Sequence, residues 1–338
     1  MIELEGSNNW LEQLNGNPIE WLLQSNPWTV YRTRIDLLDE PEDSEAVQKA
    51  REACLEDASI KQLINETKDW MPKAPTRNND PKISYFKLRM LADFGLNSTD
   101  KDIKEIYDKA TAHVEDNLFA CRGSIPKKAK KGETFSKPDP FEDVWHISPC
   151  NSPMITYSLL ALGFRTEVVM TSVERLKELW EDETGWFCHL FFVEGQFKRE
   201  KSGCPMAGLM ALEVFSQIED LKESQYAENA FAPLNVHKQL GKSLYYFGRS
   251  KKFWTFKYPF VWYNALYLGE VLSRFTFLKA SPLLKECVDW IVGSQDEQGR
   301  FKPTSIFMPC APGMNKKEPS PWITLLCCRI LKRLATTS

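Results

Sequence analysis

The chain lacks any apolar run approaching the ~18–20 residues of a membrane-crossing helix. Its start, MIELEGSNN, is acidic and polar, so no secretory leader is expected. It also lacks an excess of either charge: 43 Lys and Arg stand against 46 Asp and Glu, a net of −3. That balance excludes nucleic-acid binding driven by the charge of the whole chain. No P-loop, dinucleotide-binding glycine run, G-x-S-x-G elbow or C-x-x-C pair occurs, which removes the motif-based routes to nucleotide, serine-hydrolase and finger-type zinc chemistry.

What is present is a 338-residue chain, 43% hydrophobic and 26% charged, long enough to bury a sizeable core. Aromatics are abundant, with 11 Trp, 10 Tyr and 20 Phe, enough to fill a core or to line a cavity. The 9 cysteines are an odd number, and Cys327 and Cys328 are adjacent in a helix-like segment. Such spacing suits a reducing compartment, and a cytoplasmic location is expected. Charge is unevenly placed: residues 1–70 carry 15 acids and 6 bases, whereas residues 238–257 carry 6 bases and no acid.

The pattern predicts an N-terminal helical extension over residues 1–75 and a second, larger unit over 76–338. Ser25-Asn26-Pro27 reads as a helix start. The acidic stretch 39–44 ends that helix and caps another, expected over about 45–65. Further on, Asp182-Glu-Thr-Gly185-Trp-Phe187 is echoed by Asp296-Glu-Gln-Gly299-Arg-Phe301, and Ser148-Pro-Cys150 by Ser202-Gly-Cys204. Apolar helices are expected at 82–95, at 154–164, at 205–215, at 258–275 and at 321–334. Amphipathic ones are expected at 101–118, 168–181, 222–240 and 282–294. Helices apolar all round are buried and those with a polar face lie outside, so the alternation predicts an all-α ring of inner and outer helices. Strand signals are sparse.

The stretch Gln295 to Phe301 is similar to the Q-x-x-x-G-x-W repeat of terpenoid cyclases, with Phe in place of Trp. With the helix rhythm, the chain resembles the α/α-toroid superfamily of squalene and terpenoid cyclases and protein prenyltransferase β-subunits. It is closest in pattern to a prokaryotic branch that opens with a helix like Trp21-Leu22 to Asn26-Pro27, Val30 and Arg32. The resemblance implies a cavity protein for an apolar or isoprenoid-like small molecule. Neither the D-x-D-D acid nor the D-D-x-x-D magnesium site of the cyclases occurs, so squalene cyclase activity is not expected.

Prenyltransferase β-subunits bind catalytic zinc through Asp, Cys and His, which implies a metal candidate here. Cys150 and Cys204 stand at expected helix starts, where a thiolate is favoured, and Cys188 follows the Gly185 turn. With His189, or else His146 or His237, they suit tetrahedral zinc, and Cys121 is a further candidate. The alternative is that these cysteines pack as small hydrophobes, as Cys54, Cys287, Cys327 and Cys328 are expected to do. For the ligand, the basic aromatic run 238–257 offers Arg249, Lys251, Lys252 and Trp254. Trp186, Trp262 and Tyr263 are added as aromatic lining. The cations would hold an anionic head and the rings an apolar tail, or else the run is a solvated loop over packed rings. A single-stranded nucleic acid also suits such a surface, although none is favoured as a partner.

Two rival functions remain open. A carbohydrate-active α/α barrel needs two facing carboxylates, for which Asp139, Glu142 and Asp143 are the candidates. A non-catalytic binding or scaffold protein predicts a filled ring centre and scattered cysteines.

Overall fold

The computed structural model describes residues 8–76, 79–126, 141–186, 203–240, 247–248, 250–307 and 315–336. The protein is mainly helical. At the N-terminus, α1 (Ile19–Leu23) leads into α2 (Pro27–Asp36), where the Asn26 side chain accepts from the Thr29 N–H and Pro27 opens the first turn. Ser44 caps α3 (Glu45–Glu56) in the same way.

The helix expected over 45–65 is two helices. Asp57 ends α3 in extended backbone, and its carboxylate accepts from the Ser59 and Ile60 N–H groups at the start of α4 (Ala58–Lys68). An acid able to cap is stronger here than the continuing apolar period.

Five buried helices follow in order: α5 (Ser84–Asp93), α7 (Asn151–Ala161), α9 (Pro205–Phe215), α12 (Ala265–Leu272) and α14 (Pro321–Ala335). Each packs on the next, and Phe94, just after α5, meets Trp322 of α14 edge-on at 4.9 Å. Outside them, α4 lies on α5, α8 (Glu167–Leu179) on α7, α11 (Gln225–Leu240) on α9 and α13 (Pro282–Val292) on α12. Short α6 (Ile103–Ala110) and α10 (Glu219–Lys222) complete the helices described. The N-terminal helices α1 and α2 pack on α14.

Over the described residues 182–186 and 296–301, the two D-E-x-G-x-F stretches form similar Asp-capped turns with a left-handed glycine. Asp182 accepts from the N–H groups of Thr184 and Gly185, and Asp296 from those of Gln298 and Arg300. Gly185 and Gly299 sit at φ +57° and +72°, the left-handed region that a side chain disfavours. In the second turn Gln295 also clamps the N-terminal segment. It accepts from the Asn15 N–H at 2.6 Å and donates to the Gln13 carbonyl at 3.0 Å.

Two expectations about helix extent change. The segment 258–264 is not helical, and α12 begins only at Ala265. Pro259 disfavours α backbone at Tyr258, and the Asn264 side chain caps Tyr267. The helix expected over 101–118 stops at Ala110 and is followed by two short antiparallel pairs. One joins β1 (Val114–Glu115) to β2 (Leu118–Phe119), the other β3 (Cys121–Pro126) to β4 (Phe141–His146).

Candidate ligand cleft and thiol pair

Cys150 stands at the N-cap of α7 and Cys204 at the N-cap of α9. The Cys150 side chain hydrogen-bonds the Cys204 sulfur. Against the upward push of burial, this bond and the first-turn amides of Met206 and Ala207 hold the Cys204 thiol below its ordinary range. In Cys54, Cys121, Cys287, Cys327 and Cys328, burial instead pushes the thiol up, to about 12 in Cys54 and Cys121. The electrostatic environment therefore separates Cys204 from the packing cysteines.

Cys121 bonds Asn151, next to Cys150, and both Cys121 and Cys150 act on the buried Tyr85 hydroxyl. His237 reaches the same neighbourhood, with its Nε2 3.2 Å from the Gly203 carbonyl. His146 is part of β4, opposite Cys121. Among the described residues no three His, Cys, Asp or Glu side chains converge on one metal position. Cys188 and His189, the other two expected zinc ligands, lie outside the described residues, as does Cys310.

A second feature forms where the chain approaches α12. A cleft of about 510 Å³ is lined by Lys251, Lys252, Lys257, Trp262, Tyr263, Asn264 and, from a distant segment, Phe307. Four of the expected ligand residues thus line one cavity: Lys251, Lys252, Trp262 and Tyr263. No carboxylate lines it among the described residues. The Lys257 ammonium sits 3.5 Å from the Phe307 ring centroid. Burial, with a contribution from Lys316, holds its pKa below the ordinary lysine range. The α12 amide dipoles add positive potential at the Asn264 end.

The other expected ligand residues fall elsewhere. Trp254 packs on Trp290 and under Lys238, which is paired with Glu286 at 2.6 Å. Trp186 is buried, and its carbonyl accepts from the Cys204 N–H. Arg249 lies outside the described residues. Lys257 and Phe307 were missed by sequence reasoning. Lys257 closes the basic run and was within reach of it, but nothing links Phe307 to that run across 50 positions.

The interior between α5, α9 and α12 holds fully buried charge. Arg89 donates to both Glu213 oxygens, at 2.7 and 2.5 Å, and to the Tyr267 hydroxyl at 2.9 Å. It also lies over the rings of Tyr157, Phe260 and Tyr267. Asp93 binds Arg89 and accepts from the Tyr258 hydroxyl. Nearby, Glu270 takes Arg274, Arg329 and Arg333 at 2.9–3.0 Å, and Arg329 continues to Asp36 of α2 at 2.8 Å. Burial alone would raise the Glu270 carboxyl, but the three guanidinium groups outweigh it and hold it well below the carboxylate range.

Of the carboxylates considered for sugar chemistry, Asp143 is engaged in structure. Asp143 accepts from Arg122 and from the Ala74 N–H. Asp139 lies outside the described residues, and the Glu142 side chain is likewise not described. No protein-family model matches the chain, and no curated protein matches it.

Proposed function

We propose that the helix succession closes into an α/α toroid of the prenyltransferase and terpenoid-cyclase type, which binds a small molecule with an anionic head and an apolar, isoprenoid-like body. The observation that carries this reading is the cleft at the start of α12. Lysines without carboxylate partners among the described residues line it together with Trp262, Tyr263 and Phe307, so the cations suit an anion and the rings a hydrocarbon. Lysines attract an anion, and the adjoining rings exclude water from an apolar chain.

Zinc is part of the same proposal. Cys150 and Cys204 supply two soft donors already in contact, and Cys188 and His189, outside the described residues, are the donors the sequence offers to make up a tetrahedral set. Bound there, zinc would activate a thiolate or a water. The seven described cysteines are all free thiols, which supports a reducing, cytoplasmic setting. Among the described residues no helix is long and apolar enough to cross a membrane.

The test is calorimetric titration with farnesyl diphosphate, farnesol and inorganic diphosphate, alongside metal analysis of the purified protein. Tightest binding of the intact amphiphile, weakened by salt, supports the reading. Binding no stronger than that of its separate halves overturns it. Stoichiometric zinc lost in a Cys150→Ser, Cys204→Ser variant supports the metal assignment, and its absence removes it.

A non-catalytic binding role is the second reading. It is favoured by the interior, where Arg89, Glu213, Tyr267 and Phe260 occupy the space between α5, α9 and α12.

A further inference from the structure

Lys257 differs from its neighbours in the cleft. Lys251 and Lys252 are exposed, whereas Lys257 is half-buried with its ammonium against the Phe307 ring face. Among the described residues, the charged groups that line the cleft with it are Lys251 and Lys252, and Lys316 from the stretch before α14 acts on it electrostatically. Tyr263 is the titratable neutral group in the same cleft. A lysine without a carboxylate, desolvated and next to another cation, loses its proton more readily than a solvated one. That is the condition for an amine nucleophile.

We propose that Lys257 is a covalent carbonyl-capture site, an amine that condenses with an anionic aldehyde or ketone whose acidic group is held by Lys251 and Lys252. The neutral ε-amine attacks the carbonyl carbon, a C–N bond forms, and the C=O π pair moves to oxygen. That oxygen is protonated and the nitrogen loses a proton to water. Loss of water from the carbinolamine leaves a C=N bond, with no change of oxidation state. The aromatic wall of Trp262 and Phe307 accommodates the apolar part of the carbonyl compound and limits hydrolysis of the imine. This inference uses the same cleft as the proposed function but does not depend on an isoprenoid ligand.

The test uses pyridoxal 5′-phosphate as an anionic aldehyde probe on the full-length protein. Borohydride trapping and peptide mass mapping follow. The expected result is that most of the label at substoichiometric reagent sits on Lys257. Lys257→Arg removes that label while circular dichroism and melting stay unchanged. Lys251→Ala with Lys252→Ala slows labelling by the phosphate-bearing probe but not by propionaldehyde. Label spread evenly over the lysines, or retained in total after Lys257→Arg, overturns the proposal. Retained Lys257 labelling in a protein that does not bind farnesyl diphosphate overturns the ligand reading alone. Binding without labelling overturns the capture site alone.

Discussion

Arg89 and Lys257 are both cations set against aromatic rings, yet the structure treats them in opposite ways. Arg89 lies over Tyr157, Phe260 and Tyr267 and is matched by Glu213 and Asp93, and its pKa rises well above the ordinary value despite full burial. Lys257 lies over Phe307 with no carboxylate paired to it among the described residues, and burial, with a contribution from Lys316, lowers its pKa. Apolar rings surround both, so the carboxylate makes the difference. Removing one partner from a buried pair strands the other charge, which ties matched charge to architecture. Unmatched charge at an open cleft contributes little to the fold and is free to meet a ligand.

The largest test of that contrast is Glu270→Gln, which leaves Arg274, Arg329 and Arg333 facing one another in the interior. A loss of about 3–5 kcal/mol is expected, on the scale of breaking a buried pair, read as a large drop in Tm or as insoluble expression. Near-native melting would mean that the interior network is not structural.

Acid should act on the same network. Glu270 and Asp36 both have folded pKa values below their unfolded ones. Their stabilisation is therefore present above the unfolded carboxylate range, at about 4, and is lost as pH falls through the folded values. Melting followed from pH 7 to pH 3 should show Tm falling on the acid side, with a smaller fall in Glu270→Gln.

A middle-sized effect is expected at Gly299→Ala. The left-handed φ and the approach of the Gly16 backbone leave no room for a Cβ, so a cost of about 1–3 kcal/mol is expected. Denaturant unfolding should show it, together with faster proteolysis of the N-terminal segment held by Gln295. The smallest stability effect belongs to Lys251→Ala and Lys252→Ala, within about 0.5 kcal/mol as for ordinary surface changes.

Helix content and order were largely legible in the sequence because the segments from 154, 205 and 321 are apolar on nearly all sides. The D-E-x-G-x-F turns were legible because Asp and Gly each have a specific backbone task there. Where a local signal competed with the period, the period misled: Asp57 divides one expected helix, and Pro259 with Asn264 shortens another. The interior was hidden because no local pattern marks Arg89 and Glu213 as partners across 124 positions. The cleft was half legible for the same reason. Lys251, Lys252, Trp262 and Tyr263 lie close in sequence, whereas Phe307 reaches it only through the fold.

The central claim is that the lysines of the α12 cleft, unpaired with any carboxylate among the described residues, serve a ligand rather than the fold. Calorimetric titration of farnesyl diphosphate into native protein and into the Lys251→Ala, Lys252→Ala double variant tests it directly. The account predicts binding to the native protein that weakens at least about tenfold in the variant, a difference of ~1.4 kcal/mol. Equal affinity in the two proteins, or no binding to either, would contradict it.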